Sequence, residues 1–145
     1  MKRKKCIMLH KDTFITDIDH RRLRSYLYEA ASTHTLDIRQ FASLRDRLHR
    51  ARIVEPKAVP ANVVTMNSLV VLRNLDSGDR LTCRLAYPDE PRRSPRNVSV
   101  SRPLGTAMLG TRVGQVIRWP AGTRDRRMRI QQVLYQPEAA GDFHL

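Results

Sequence analysis

Aromatic residues are scarce in this chain: three Phe, four Tyr and one Trp make 6% of 145 residues. A surface that binds nucleic acid by stacking on bases needs more rings than this. A prolyl isomerase needs an aromatic-lined pocket, and Tyr87, Trp119 and Tyr135 sit where a core would use them. Cysteine is nearly absent. Cys6 and Cys83 stand far apart with no metal-ligand spacing, which excludes a disulfide framework and points to free thiols in a reducing cytoplasm. None of His10, His20, His34, His49 and His144 pairs with another His or a Cys at metal-ligand spacing. There is no Gly-rich phosphate loop, no nucleophile elbow around Ser99 or Ser101, and no pair of acids set for proton transfer. An enzyme is not expected, nor a cofactor or a bound metal.

Long hydrophobic runs are also missing. Met1-Lys2-Arg3-Lys4-Lys5 opens as a signal peptide would, but the apolar run after it is only Cys6-Ile7-Met8-Leu9. Nothing approaches the length of a membrane span, so a cytoplasmic protein is expected. Acids are outnumbered, 14 against 27 Lys and Arg, for a formal net charge of +13. That balance favours a polyanionic partner or an acidic protein surface. The excess is +4 over residues 1–15, +3 over 16–53 and +6 over 54–145. Charge spread in this way is not a dedicated nucleic-acid tail.

What is present divides by period. Residues 1–14 form a basic N-terminal segment, expected to be loose or a short edge. Thr16-Asp17-Ile18-Asp19 reads as a helix start, with Thr16 as cap and Asp19 completing a capping box. Ile18, Leu23, Tyr26, Leu27 and Ala30 then form an apolar stripe ending near Ala31. After Ser32-Thr33-His34-Thr35-Leu36, with Thr35 as the expected second cap, Ile38, Phe41, Leu44, Leu48 and Ala51 recur at helical steps. Two such helices with a short loop predict an antiparallel hairpin over 15–54. At on the order of 15 residues each, the helices are roughly 22 Å long. The outer face carries Arg21, Arg22, Arg24, Arg39, Arg45, Arg47, Arg50 and Arg52, most simply as a solvated surface.

Residues 55–60, with Pro56 and Pro60, break the helix and act as a linker. From Val63 the period changes to that of strands. Leu69 to Leu75, a turn at Asp76-Ser77-Gly78-Asp79, and Leu81, Cys83, Leu85 and Tyr87 predict a β-hairpin. A polar loop with Arg92, Arg93 and Arg96 follows. Val98 and Val100 alternate, and Pro103 suits the first position of a short helix with Leu104, Ala107 and Met108 on one face. Gly110 suits its left-handed stop. Strands resume with Ile117 and Trp119, then Met128 and Ile130. Val133 and Tyr135 continue one step out of phase, which predicts a β-bulge at Gln131-Gln132. The fold class is α+β: a helical hairpin followed by a small antiparallel sheet carrying one short helix.

Three stretches carry a resemblance: Val59-Pro60-Ala61-Asn62-Val63-Val64-Thr65-Met66-Asn67-Ser68, Leu104 through Gly114, and Tyr135-Gln136-Pro137-Glu138-Ala139-Ala140-Gly141-Asp142. With Ile15 to Leu27 as first helix, they resemble the bacterial regulators of nucleoside diphosphate kinase, relatives of the GreA/GreB transcript-cleavage factors. The resemblance implies a short N-terminal coiled coil and a GreA/GreB-type, FKBP-like C-terminal domain over 61–145. It implies binding at the secondary-channel rim of RNA polymerase, competition with Gre-type factors and modulation of transcription. Carried onto this chain, the docking contact falls on Ser101, Arg102 and Pro103. Transcript cleavage by Gre factors needs acids at the hairpin tip to hold a second Mg²⁺, and hard oxygen ligands are what that ion requires. Here the tip is Thr33, His34 and Thr35, with the single acid Asp37, so a non-catalytic regulator is expected. A monomer is expected. The alternative is a basic protein that contacts nucleic acid non-specifically through its helix arginines with Arg92, Arg93 and Arg96, and whose affinity falls steeply with salt.

Overall fold

A computed structural model of the chain describes residues 13–90 and 94–145. The basic start with Cys6 and His10, and the loop arginines Arg92 and Arg93, lie outside the described residues.

Helix α1 (Asp17–Thr33) and helix α2 (Ile38–Arg50) form the hairpin, 17 and 13 residues long. Thr16 is the cap of α1 and its hydroxyl accepts from the Asp19 N–H at 3.1 Å. The Asp19 carboxylate does not simply close the expected capping box. It bonds outward to the rest of the molecule, as described below. α1 runs two residues beyond Ala31, and in its last turn the Ser32 and Thr33 hydroxyls donate to the carbonyls of Tyr28 and Glu29.

The base of the hairpin is clasped by strands β1 (Phe14–Thr16) and β2 (Arg52–Val54), paired in parallel with Phe14 opposite Arg52. Three-residue strands carry too little pattern to be read from sequence. After a single 3₁₀ turn at Pro56–Ala58, the main sheet is built from β3 (Leu69–Asn74), β4 (Arg80–Ala86), β5 (Asn97–Ser99), β6 (Val116–Ala121) and β7 (Arg124–Tyr135), in the order β5-β4-β3-β7-β6. The sheet is mixed rather than wholly antiparallel, because β5 runs parallel to β4. The three residues of β5 lie beside the last three of β4, with Asn97 opposite Arg84 and Ser99 opposite Ala86. Pro120 lies in β6, an edge strand, where its missing N–H costs the ladder least.

The bulge falls where the phase slip places it. Val71 pairs with Gln132 and Leu72 with Ile130, leaving Gln131 unpaired, and a second irregularity skips Leu134. Helix α3 (Pro103–Met108) covers the sheet, and Gly110 follows it with φ 79°. The tail is not merely polar. It forms a one-turn helix, α4 (Pro137–Ala140), and buried Gln136 donates from Nε2 to the carbonyls of Pro60 and Val63. Leu23, Leu27, Leu44 and Leu48 of the hairpin share one continuous core with Val70, Leu72, Leu85, Met108 and Ile130. Cys83 is part of that core, 1% exposed, and burial raises its thiol to about 11.

Candidate functional site: the edge of helix α3 and the hairpin tip

Strand β5 ends at Ser99, buried Val100 follows, and the chain turns sharply into α3. The Ser101 N–H donates to Ser99 Oγ at 3.2 Å, the two serine hydroxyls lie 2.7 Å apart, and the Arg102 N–H donates to the Ser99 carbonyl at 3.0 Å. This local bonding of serine to its own backbone fixes the turn. Arg102 occupies the cap position without a side-chain cap bond, and Pro103 is the first helical residue. Ser101 is half-buried, and Arg102 and Pro103 are exposed. The three residues therefore form a raised edge held from beneath.

Two residues beneath it do the holding. At Gly105 a Cβ would lie 2.0 Å from the Ser99 carbonyl oxygen, so only glycine lets α3 sit this close to β5. Thr106 is 3% exposed. Its hydroxyl donates to the Val100 carbonyl at 2.6 Å and accepts from Gln40 Nε2 of helix α2 at 2.7 Å. Gln40 thus ties the hairpin to the helix under the edge. Sequence reasoning missed this link, since the partners lie 66 positions apart and a Gln on a helix face carries no signal of its own.

At the tip, His34 closes α1 in the left-handed conformation, φ 53° and ψ 35°. Thr33 and Thr35 hydroxyls lie 3.1 Å apart. The cap of α2 is Asp37, not Thr35: its carboxylate accepts from the Arg39 N–H at 2.7 Å. Aspartate is the stronger cap and also favours the positive helix end. The one carboxylate of the tip is thus engaged in ending a loop, and Thr33, His34, Thr35 and Asp37 are all exposed.

A third constellation joins the hairpin base to the C-terminal half. Asp19, 3% exposed, accepts from the Tyr87 hydroxyl at 2.6 Å and from the Met66 N–H at 3.3 Å. Burial raises its carboxyl to about 6, with the Glu138 charge adding to the rise and the Tyr87 bond opposing it. Burial and the Asp19 charge push the Tyr87 phenol well above its usual range. Glu138 is itself fixed by the Thr65 hydroxyl at 2.6 Å. Phe14 lies under two guanidiniums, Arg52 at 5.8 Å and Arg112 at 5.9 Å from its ring centre.

A helical hairpin packed on a small sheet, with a glycine-dependent helix edge, defines a Gre-like transcription-factor architecture. Residues 59–135 match the family "Transcription elongation factor, GreA/GreB, C-term", and the chain belongs to the GreA/GreB family. The "Regulator of nucleoside diphosphate kinase" of Escherichia coli (strain K12) is 39% identical over 133 residues, covering 90% of this chain and 95% of that protein. Transcription elongation factor GreA of Desulfotalea psychrophila is 32% identical over 107 residues, covering 68% of this chain and 66% of its own length. Among solved structures, a "Prokaryotic transcription elongation factor GreA/GreB from Nitrosomonas europaea" superposes with a TM-score of 0.68 at 34% identity, covering 86% of this chain and 98% of its own. Among the described residues, no helix is long and apolar enough to cross a membrane.

Proposed function

We propose that this protein is a non-catalytic regulator that binds RNA polymerase at the rim of its secondary channel and competes there with Gre-type factors. Family membership supports the partner. The observation that carries the non-catalytic reading is the tip, where the single carboxylate of Asp37 caps α2 at 2.7 Å from the Arg39 nitrogen. A second Mg²⁺ in a polymerase active site calls for hard oxygen ligands, and one carboxylate already bonded to a helix end is a poor ligand set. The exposed edge Ser101-Arg102-Pro103 is the docking contact in this reading, with Gln40 and Thr106 bracing it against the hairpin. In this reading the protein meets the polymerase as a cytoplasmic monomer. An effect on nucleoside diphosphate kinase, as in the name of the Escherichia coli relative, follows through transcription.

Pull-down with core polymerase tests the docking edge. Arg102→Ala and Pro103→Ala weaken capture at least severalfold, and deletion of the hairpin leaves residual binding. Full binding by the isolated hairpin overturns the assignment. In stalled elongation complexes the purified protein leaves the RNA length unchanged and slows shortening by an added Gre factor. Mg²⁺-dependent shortening by the protein alone overturns the non-catalytic reading.

A further inference from the structure

The hairpin carries a feature outside the proposed docking edge. On α1 the order is His20, Arg24, Tyr28, each one turn from the next. On α2 it is Phe41, Arg45, His49, the same three chemistries reversed. The two helices are antiparallel and the pairs are symmetric about the turn. Histidine therefore comes opposite histidine, arginine opposite arginine and ring opposite ring. All six line one groove of about 600 Å³ between the helices, floored by Leu27 and Leu48. That volume lies within the range of small-ligand pockets.

Positive charge exceeds negative in this groove, with Asp17 the acid of the adjoining hollow that shares His20, Arg24, Tyr28 and Ile53. No Asp or Glu lines the groove itself. Among the described residues His20, Arg24 and His49 make no ion pair, and Arg45 makes one at 3.8 Å, with its exposed neighbour Asp46. Exposed pairs of that length contribute little. The His20 imidazole is held below its ordinary value by burial and by the Arg24 and His49 charges, against a bond to the Leu48 backbone. Apolar surface is left open too: Tyr28 is 79% exposed and Ile53, at the groove wall, 50%.

The layout selects among anionic ligands. An acidic amphipathic helix would call for cations along both rims of an apolar trough. Here the two arginines face each other midway along the groove, with the imidazoles toward the hairpin base and the two rings toward the tip. A ligand that matches has a flat apolar ring at one end and clustered negative charge at the other, spanning two helical turns, about 12 Å. We propose that this groove binds a purine nucleoside diphosphate, its base against Tyr28 and Phe41 and its phosphates between Arg24, Arg45 and the two histidines. Arginine forks suit phosphate oxygens, and one base on an aromatic face contributes as much as in single-strand binding.

Titration of the full-length protein with ADP, followed by amide chemical shifts, tests the site. ADP is expected to bind with Kd below about 1 mM, shifting residues 20–28 and 41–49. Adenosine alone and pyrophosphate alone are each expected to bind at least tenfold more weakly. Arg24→Gln and Arg45→Gln, at exposed positions that leave the helices intact, each cost about tenfold, and Tyr28→Ala costs severalfold. Arg126→Gln, an exposed arginine on β7, changes nothing. Pyrophosphate binding as tightly as ADP, ADP affinity untouched in the Arg24→Gln/Arg45→Gln double variant, or no shift at millimolar ADP overturns the proposal. So does a single-stranded oligonucleotide or an acidic peptide that binds the groove more than tenfold tighter than ADP.

Discussion

Gly105 has no room for a methyl group: the Cβ of alanine would meet the Ser99 carbonyl at 2.0 Å and its carbon at 2.7 Å. Both are backbone atoms, so α3 itself must move. Gly105→Ala is expected to destabilise by at least the 1–3 kcal/mol typical of overpacking, about that range, read as a lower urea midpoint, and to displace the docking edge. Asp19 gives a pH prediction with a definite sign. Its carboxyl rises from 3.8 to about 6 in the folded protein, so the fold holds this proton more tightly than the unfolded chain does. The contribution of Asp19 to stability is therefore greatest below pH 3.8, falls as pH rises to about 6 and is flat above. The full change is about 3 kcal/mol, at 1.4 kcal/mol per pH unit. Asp19→Asn accepts from Tyr87 without ionising, so its stability relative to wild type should climb between pH 4 and 6, as thermal melts at each pH will read. An acid at a helix start is legible in the sequence, but its burial is not, because Met66 and Tyr87 approach it from 47 and 68 positions away.

At the scale of elements, the hairpin is legible because its apolar residues repeat at helical steps and its tip is polar. Its ends are less so. Thr35 and Asp37 are both good caps, and the choice rests on which backbone N–H the side chain meets, here Arg39 at 2.7 Å. Asp37→Ala is expected to cost about 1 kcal/mol, while Asp37→Asn, which keeps the cap, costs only a few tenths. Denaturant titration distinguishes the two. In the non-catalytic reading neither variant alters transcript length. The β1–β2 pair escaped the sequence because strands of three residues carry too little pattern, and although Val98 and Val100 alternate, nothing in that alternation says that β5 runs parallel to β4. The bulge at Gln131 was legible because a single slip of phase moves every later side chain to the other face.

For the whole molecule, the hairpin does not stand apart from the sheet. Gln40 bonds Thr106 at 2.7 Å near the tip end, and Asp19 bonds Tyr87 at 2.6 Å near the base. Gln40→Ala is expected to cost about 1 kcal/mol. It should also quicken amide exchange over residues 103–108 without altering it in β3 and β7. The composition showed a basic chain and the change of apolar period an α+β architecture, but neither showed how the halves lock, since each lock is a contact between remote residues.

The joint at Gly110 sets an order of events in time. Its N–H donates to Val64 and its carbonyl accepts from Phe14, at 2.8 and 3.1 Å. Phe14 of β1 and Gly110 stand far apart in the chain, so this closure is a contact of high sequence separation and forms late. During synthesis the helices and the β1–β2 clasp emerge first, but the bond from Phe14 must wait for the ribosome to release Gly110. A nascent chain halted before that residue leaves the Phe14 N–H of β1 without the acceptor it has in the finished protein, an open edge that chaperones and proteases can meet.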